Sequence, residues 1–392
     1  MRITEIFWAF LKLGCLAFGG PSAHLAYFEE AFVRRRQWLS ASEFAEILAL
    51  CQFLPGPGSS QVGFALGLLR GGVPGAFAAW LGFTLPATVI MIGFAYGIAA
   101  FGDFAEAGWI SGLLVAAMAV VANAVVNMGR KLCTDIWTLS LAMGAAILLS
   151  VVSDARLQLL VILSGGLFGA VFLRHPKPFA TEVEGRVWVR NRRLGMVCLA
   201  GFFIFLLGLP VLAQNFESEL MGVADAFYRA GSLVFGGGHV VLPLLDGFTV
   251  QRGWLEEEAF LAGYGAAQAI PGPLFAYTAY LGASMQVGLG GVWGGLYALV
   301  FTYLPAWLLV LGVLPTWVRW RDSALLQSAL RGVNAVVVGV LMAALYDPVI
   351  ISGAQSLLHI TIGFVAFYAL QFRKAAPLLV VLICGILGQS LL

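Results

Sequence analysis

At 392 residues, 60% hydrophobic and only 11% charged, with a mean hydropathy of +0.92, the chain is too apolar for a soluble globular protein of its length. A net charge of +2 singles out no partner, and the basic residues fall in short loops between apolar spans, which argues against nucleic acid. The class that remains is an all-α polytopic membrane protein.

The opening residues, Met1-Arg-Ile-Thr-Glu5, carry no short h-region with a small-residue cleavage site, so no removable signal peptide is expected. Apolar segment 4–36 follows, broken at Gly19-Gly20-Pro21, with Lys12 a turn or two before the break and His24 after it. A cation in an apolar helix either snorkels or serves function, and an imidazole can carry a proton, bond an oxyanion, or simply pack and cap. Arg34-Arg-Arg36 closes the segment as a topology anchor in a setting that allows lipid contact.

Segment 42–69 opens behind Ser40-x-x-Glu43, a capping-box pattern; Glu43 and Glu46 read as structural, with proton coupling the alternative. It is broken at Pro55-Gly-Pro57, and Pro57 suits the first turn of the helix that restarts there. Its arms, 42–54 and 57–69, are each about 20 Å long as helix, too short for a hydrocarbon core of ~30 Å. Segments 4–36 and 42–69 are therefore predicted to be re-entrant hairpins, which keeps Arg70, Arg130-Lys131 and every other basic cluster of this half on one side; the alternative is that each broken segment crosses fully. Stretches 71–102 and 109–129 are uncharged and long enough to span, and Asn123, like Asn334 later, reads as a residue that joins helices.

A polar linker with six Lys/Arg, Arg174-His-Pro-Lys-Pro178 to Asn191-Arg-Arg193, precedes one extra apolar span at 194–213. From residue 216 the chain repeats itself. Phe10-Leu-Lys-Leu-Gly-Cys-Leu-Ala-Phe-Gly-Gly20 aligns with Phe227-Tyr-Arg-Ala-Gly-Ser-Leu-Val-Phe-Gly-Gly237, Trp38-Leu39 with Trp254-Leu255, and Pro55-Gly-Pro57 with Pro271-Gly-Pro273. Phe83-Thr84 aligns with Phe301-Thr302, and Pro86-Ala87 with Pro305-Ala306. The charge pattern inverts between halves. Arg34–Arg36, Arg70 and Arg130-Lys131 are countered by Asp103, Glu106 and Asp154 in the first, whereas Asp246 and Glu256-Glu-Glu258 face Arg319, Arg321 and Arg373-Lys374 in the second. The expected architecture is thus two inverted-topology repeats, 1–173 and 216–392, each with two broken or re-entrant hairpins and about four full spans, joined by 174–215: a basic cytoplasmic linker (174–193) and one connecting transmembrane helix.

A half-helix that starts at the midplane aims unpaired N–H groups and a positive dipole end into low dielectric, which makes an anion site. Four such starts are expected to converge, after Gly20, Gly56, Gly237 and Gly272. The predicted binding residues are Lys12 and Arg229, which occupy matched positions; Gly19, Gly20 and His24; Gly56, Pro57, Ser59, Ser60 and Gln61; Gly237, Gly238 and His239; and Gly272, Pro273, Tyr277 and Thr278. The bland alternative is that each PGP only makes a tight turn. Five scattered cysteines (Cys15, Cys51, Cys133, Cys198, Cys384) without a CxxC read as packing residues, and neither a metal nor a cofactor is expected. With no HExxH, Walker loop or GxSxG, the chain reads as a secondary transporter rather than an enzyme. The glycine-rich faces of 73–97 and 288–312 suit packing within the chain or across a homodimer.

Phe18-Gly-Gly-Pro…His24, Trp38-Leu-Ser…Glu43-Phe and Gln52-x-Leu-Pro-Gly-Pro57 resemble the signature of the chromate ion transporter family, as do Phe235-Gly-Gly-Gly-His239, Trp254-Leu and Gln268-Ala-Ile-Pro-Gly-Pro273. The likeness covers nearly the whole chain and matches the long two-domain form. It implies a bacterial inner-membrane protein that exports chromate and confers resistance, with sulfate as the structural mimic. Its first glycine turn departs from the second, Gly-Gly-Pro-Ser against Gly-Gly-Gly-His, which puts the equivalence of His24 and His239 in question. Transport of sulfate or another small anion, a channel, and a membrane scaffold that moves nothing are the alternatives.

Overall fold

The computed structural model describes residues 2–18, 20–100, 108–152, 155–173, 192–216, 218–235, 238–317 and 323–392. Among them every regular element is helical. Gly19, Gly237, Asp103, Glu106, Asp154, Arg319, Arg321 and linker residues 174–191 lie outside the described set.

Helix α1 (Arg2–Leu16) is followed after the glycine break by α2 (Gly20–Phe28), which runs on as π-helical turns over Glu29–Arg35. Gly20 takes φ +74°, a left-handed conformation that glycine adopts without steric cost. Glu5 at the start of α1 then meets Arg36 at 3.6 Å and Arg70 at 3.9 Å, and both guanidiniums lie over the Trp38 ring. Three points far apart in sequence are thereby pinned together: the beginning of the first hairpin, its end, and the end of the second.

The second hairpin consists of α3 (Ala41–Phe53) and the first stretch of α4 (Gly58–Ala100). The expected capping box is present, with the Ser40 amide donating to Glu43 at 2.7 Å and the Glu43 amide to Ser40 Oγ at 3.2 Å. α4 is not one continuous rod. Gly71 and Gly72 leave helical geometry, Gly72 at φ +65°, and the chain folds back so that Gly67 packs on Gly75 and Ala79 with no room for a Cβ.

The second half repeats these moves with α9 (Glu219–Ser232), α10 (Val241–Thr249), α11 (Glu257–Ala269), α12 (Tyr277–Ser284) and α13 (Gly291–Val313). The Gly288 amide donates to Glu219 at 3.1 Å, the Gln286 amide to the Trp254 carbonyl at 3.4 Å, and Gly282 packs on Gly294 and Ala298 as Gly67 does on Gly75 and Ala79. This second cluster of hairpin ends sits at the other end of α4: Tyr96, near its C-terminus, accepts a hydrogen bond from the Val292 amide at 3.2 Å.

The remaining helices interleave the halves. α5 (Gly108–Leu132) packs on α15 (Leu357–Gln371) and α16 (Pro377–Leu391) of the second half, while α14 (Ala324–Ala344) packs on α6 (Ile136–Val151) and α7 (Ala155–Phe172) of the first. Small residues permit both crossings, Gly112 against Cys384 and Gly388, and Gly332 against Gly165 and Gly169. The glycines of α13 that sequence left open between internal and dimer packing pack internally, Gly295 against Ala279 and Ile92 and Gly312 against Leu199; Gly93 and Gly97 of α4 face open space. The extra helix α8 (Arg192–Phe216) covers α9 and α13, where the Tyr228 hydroxyl donates to the Phe202 carbonyl at 2.9 Å.

Five of the described helices are long and apolar enough to cross a membrane. α6, α7, α15 and α16, at 15 to 18 residues, reach only ~23–27 Å, so as spans they require local thinning or interfacial anchoring of their ends. α6 is held by Asp135, which accepts from the Trp137 and Thr138 amides and bonds Arg331 of α14. Desolvation works to raise the Asp135 carboxyl, but the Thr138 bonds, the Arg331 charge and the Trp137 bond outweigh it and hold it below its ordinary range. With the folded value below the unfolded one, this stabilisation is present above the ordinary carboxylate range and lost as pH falls through the folded value. Asp135→Ala is expected to cost about 1–2 kcal/mol and to flatten the acid side of a thermal-unfolding profile; an unchanged profile would mean that the cap contributes nothing.

Candidate functional site

The four chain breaks meet. The Gly56 amide, inside the first PGP, donates to the carbonyl of Val234, just before the second half's glycine turn, at 2.7 Å. The Gly272 amide, inside the second PGP, donates to the carbonyl of Ala17, just before the first half's glycine turn, at 3.0 Å. Each half thus bonds its proline-glycine tip to the other half's glycine break. A Cβ on Gly56 would lie 3.5 Å from Ala306, and one on Gly272 would lie 3.0 Å from Ala87, which are matched residues of α13 and α4. Pro21 and Gly238, from the two glycine turns, are also neighbours, 3.7 Å apart by the same measure.

Local sequence explains the tips. Gly56 sits at φ +122° and Gly272 at φ +100°, conformations closed to L side chains, between prolines that end one helix and admit the next. With both glycine amides committed and no N–H on Pro57 or Pro273, the free backbone donors lie one residue further on. The first intrahelical bond of α4 runs from the Gln61 amide to the Pro57 carbonyl at 2.9 Å, so the amides of Gly58, Ser59 and Ser60 have no partner within the helix.

His24 is buried and bridges two breaks. Its Nε2 lies 3.2 Å from the Ala17 carbonyl, which can only accept, so Nε2 carries a proton; Nδ1 lies 3.3 Å from Ser59 Oγ. His239 does otherwise, with Nδ1 placed 2.7 Å from the Tyr264 hydroxyl of α11, so the two histidines occupy different local settings. Ser60 Oγ lies 3.4 Å from the Tyr303 hydroxyl, and Gln61 Nε2 donates to the Pro55 carbonyl at 2.7 Å. Tyr277 and Thr278 are fully buried and spend their hydroxyls on backbone, Tyr277 on the Phe260 carbonyl and Thr278 on that of Phe275.

The matched cations differ in setting. Arg229 bonds Asp225 one turn earlier in α9 and lies 4.7 Å from the Phe248 ring centroid, with its side chain 16% exposed. Lys12 lies on the exposed side of α1 with Trp8 and Cys15, opposite the face on which Phe10 and Gly14 meet α4. Arg229 has the Asp225 carboxylate and the Phe248 ring of α10 beside it, whereas Lys12 stands on an exposed face. Asn123 bonds Asn127 in its own helix at 3.2 Å rather than reaching a neighbour.

Beside the first PGP tip, α4 and α13 close on each other along a narrow crevice lined by Ser60, Gln61, Phe64, Trp80, Tyr303, Ala306 and Trp307, with no room for a water molecule. Trp80, Tyr303 and Trp307 were not singled out from sequence. The available signal was their place next to the aligned Phe83-Thr84 and Pro305-Ala306 pairs.

The chromate transporter family model matches residues 4–170 and 221–389, the two repeats. A probable chromate transport protein of Synechococcus elongatus is 28% identical, over 97% of this chain and 94% of its own. A chromate transport protein of Pseudomonas aeruginosa is 28% identical over 99% of this chain and 92% of its own, and one of Cupriavidus metallidurans 24% identical over 98% and 92%. No solved structure matches.

Proposed function

This chain belongs to the chromate transporter family, and on that premise we propose that it is a secondary active transporter that exports chromate across a bacterial inner membrane, with the basic linker in the cytoplasm. The observation that carries the mechanism is the crossed pair of bonds, Gly56 to Val234 and Gly272 to Ala17, which joins the two halves at their broken tips. The oxyanion binds beside these tips, where helix starts supply N–H groups and dipole charge. The halves act as inverted repeats: one cluster of hairpin ends lies by Glu5 and Arg70, the other by Glu219 and Val292 at the far end of α4, and this supports alternating access by one repeat moving against the other. Arg229, buried next to the second glycine break, balances the anion's charge, and Lys12, on the outer side of α1, has the smaller part.

The test is chromate uptake into inverted vesicles under an imposed pH gradient or potential. Saturable, gradient-driven uptake is expected, with Lys12→Met keeping most of the flux. Gradient-independent, unsaturable flux would point to a channel, and no flux to a scaffold. Competition by sulfate, molybdate and phosphate in the same vesicles ranks the anions, and stronger uptake of sulfate than of chromate would assign the protein to sulfate.

A further inference from the structure

Two indole nitrogens shielded from solvent have no hydrogen-bond partner, Nε1 of Trp80 and Nε1 of Trp307, and both rings line the crevice beside the first PGP tip. A buried donor left unsatisfied costs roughly 1–3 kcal/mol, so two of them in one crevice call for a reason. Their rings are in edge contact at 4.6 Å between centroids, and Trp80 meets Tyr303 at 5.5 Å. The Ser60 and Tyr303 hydroxyls face each other there, and Ser60 also stands in the unpaired first turn of the α4 helix.

We propose that this crevice, when it widens, is the seat of the transported tetrahedral oxyanion, bound by the Trp80 and Trp307 indole N–H groups together with the Ser60 and Tyr303 hydroxyls. The inference deepens the transport reading and rests on it. Four oxygens with only lone pairs need several donors at once, and this lining offers neutral donors from both halves, Ser60 and Trp80 from one and Tyr303 and Trp307 from the other. Neutral donors in a low-dielectric wall bond the oxyanion directly, while Arg229, which is not part of this lining, acts on it through its charge from outside the seat. Gln61 has its Nε2 committed to the Pro55 carbonyl and its Oε1 unpartnered, so Oε1 can accept a hydrogen bond from the O–H of a monoprotonated oxyanion. Because α4 and α13 each supply part of the donor set, the seat is complete only when the two halves are in register, which couples binding to their relative position.

The experiment uses the full-length protein in lipid nanodiscs, with chromate and sulfate as probes, and the ring-conserving variants Trp80→Phe and Trp307→Phe. Each is expected to weaken chromate binding about 10-fold or more, the loss of one hydrogen bond to a charged group. The empty variants are expected to melt no lower than wild type, since the deleted N–H was unpartnered. That opposite movement of affinity and melting temperature is what a packing role would not produce. Trp293→Phe, at a ring 72% exposed, serves as the neutral control. Unchanged affinity in the Trp80→Phe/Trp307→Phe double variant, with wild-type flux intact, overturns the seat and leaves transport standing. Lost affinity together with a lowered melting temperature overturns it as well, in favour of packing. Failure of the wild type to bind or carry either anion overturns the transport reading itself.

Discussion

Arg229→Met is expected to abolish chromate flux and to lower stability by about 3–5 kcal/mol, the cost of leaving a buried carboxylate without its partner. Asp225 is 4% exposed in its side chain, its Oδ1 already lacks a bond, and the Arg229 guanidinium is its bonded counter-ion. Arg229 in turn is held by the Phe248 ring, and its Nε is unsatisfied. Both partners are therefore incompletely bonded. The Asp225→Asn/Arg229→Met double variant carries no buried charge and is expected to recover most of the melting temperature but none of the flux. Recovery of both would reduce Arg229 to a structural partner of Asp225.

Gly272→Ala should be the more damaging of two matched substitutions at the tips, with Gly56→Ala close behind. At φ +100° and +122° a side chain is strained by ~1–3 kcal/mol wherever it points. Space decides the order between them. The added methyl at position 56 meets the end of the flexible Gln61 side chain at 2.9 Å, which can turn away. At position 272 it meets the Ala87 Cβ at 3.0 Å, with the Gly14 and Phe83 carbonyls behind it at 3.4 and 3.5 Å, none of which can rotate aside. Each substitution also disturbs a bond between the halves, so flux is expected to fall at least 10-fold, following a loss of about 1.4 kcal/mol or more, while the protein still inserts. Proteoliposome flux and membrane yield measure the two effects separately. Wild-type flux in both alanine variants would make the PGP tips plain turns, as the scaffold reading holds.

Much of the architecture is legible in the sequence. The helix stops at Pro55-Gly-Pro57 and Pro271-Gly-Pro273, the capping box at Ser40 and Glu43, and the extra helix between the repeats all follow from rules that act over a few residues. Proline removes a donor, glycine admits positive φ, and an apolar run of sufficient length has only one way to satisfy its backbone in lipid. The matched motifs also anticipated a meeting of four breaks. Lys12 and Arg229, at matched positions, have different surroundings, because equal sequence positions get equal environments only when the same neighbours are present: the Asp225 carboxylate and the Phe248 ring flank Arg229.

Composition and local backbone chemistry set the all-helical membrane class, the duplication, and where the chain must break. Only the tertiary structure decided which tip bonds which break, that α5 and α14 each pack against the other half's last two helices, and that Trp80, Tyr303 and Trp307 close on Ser60. Ser60 and Tyr303 are 243 residues apart in the chain. Contacts over such separations are set by helix crossings and by the glycines that let backbones approach, and no local propensity encodes them.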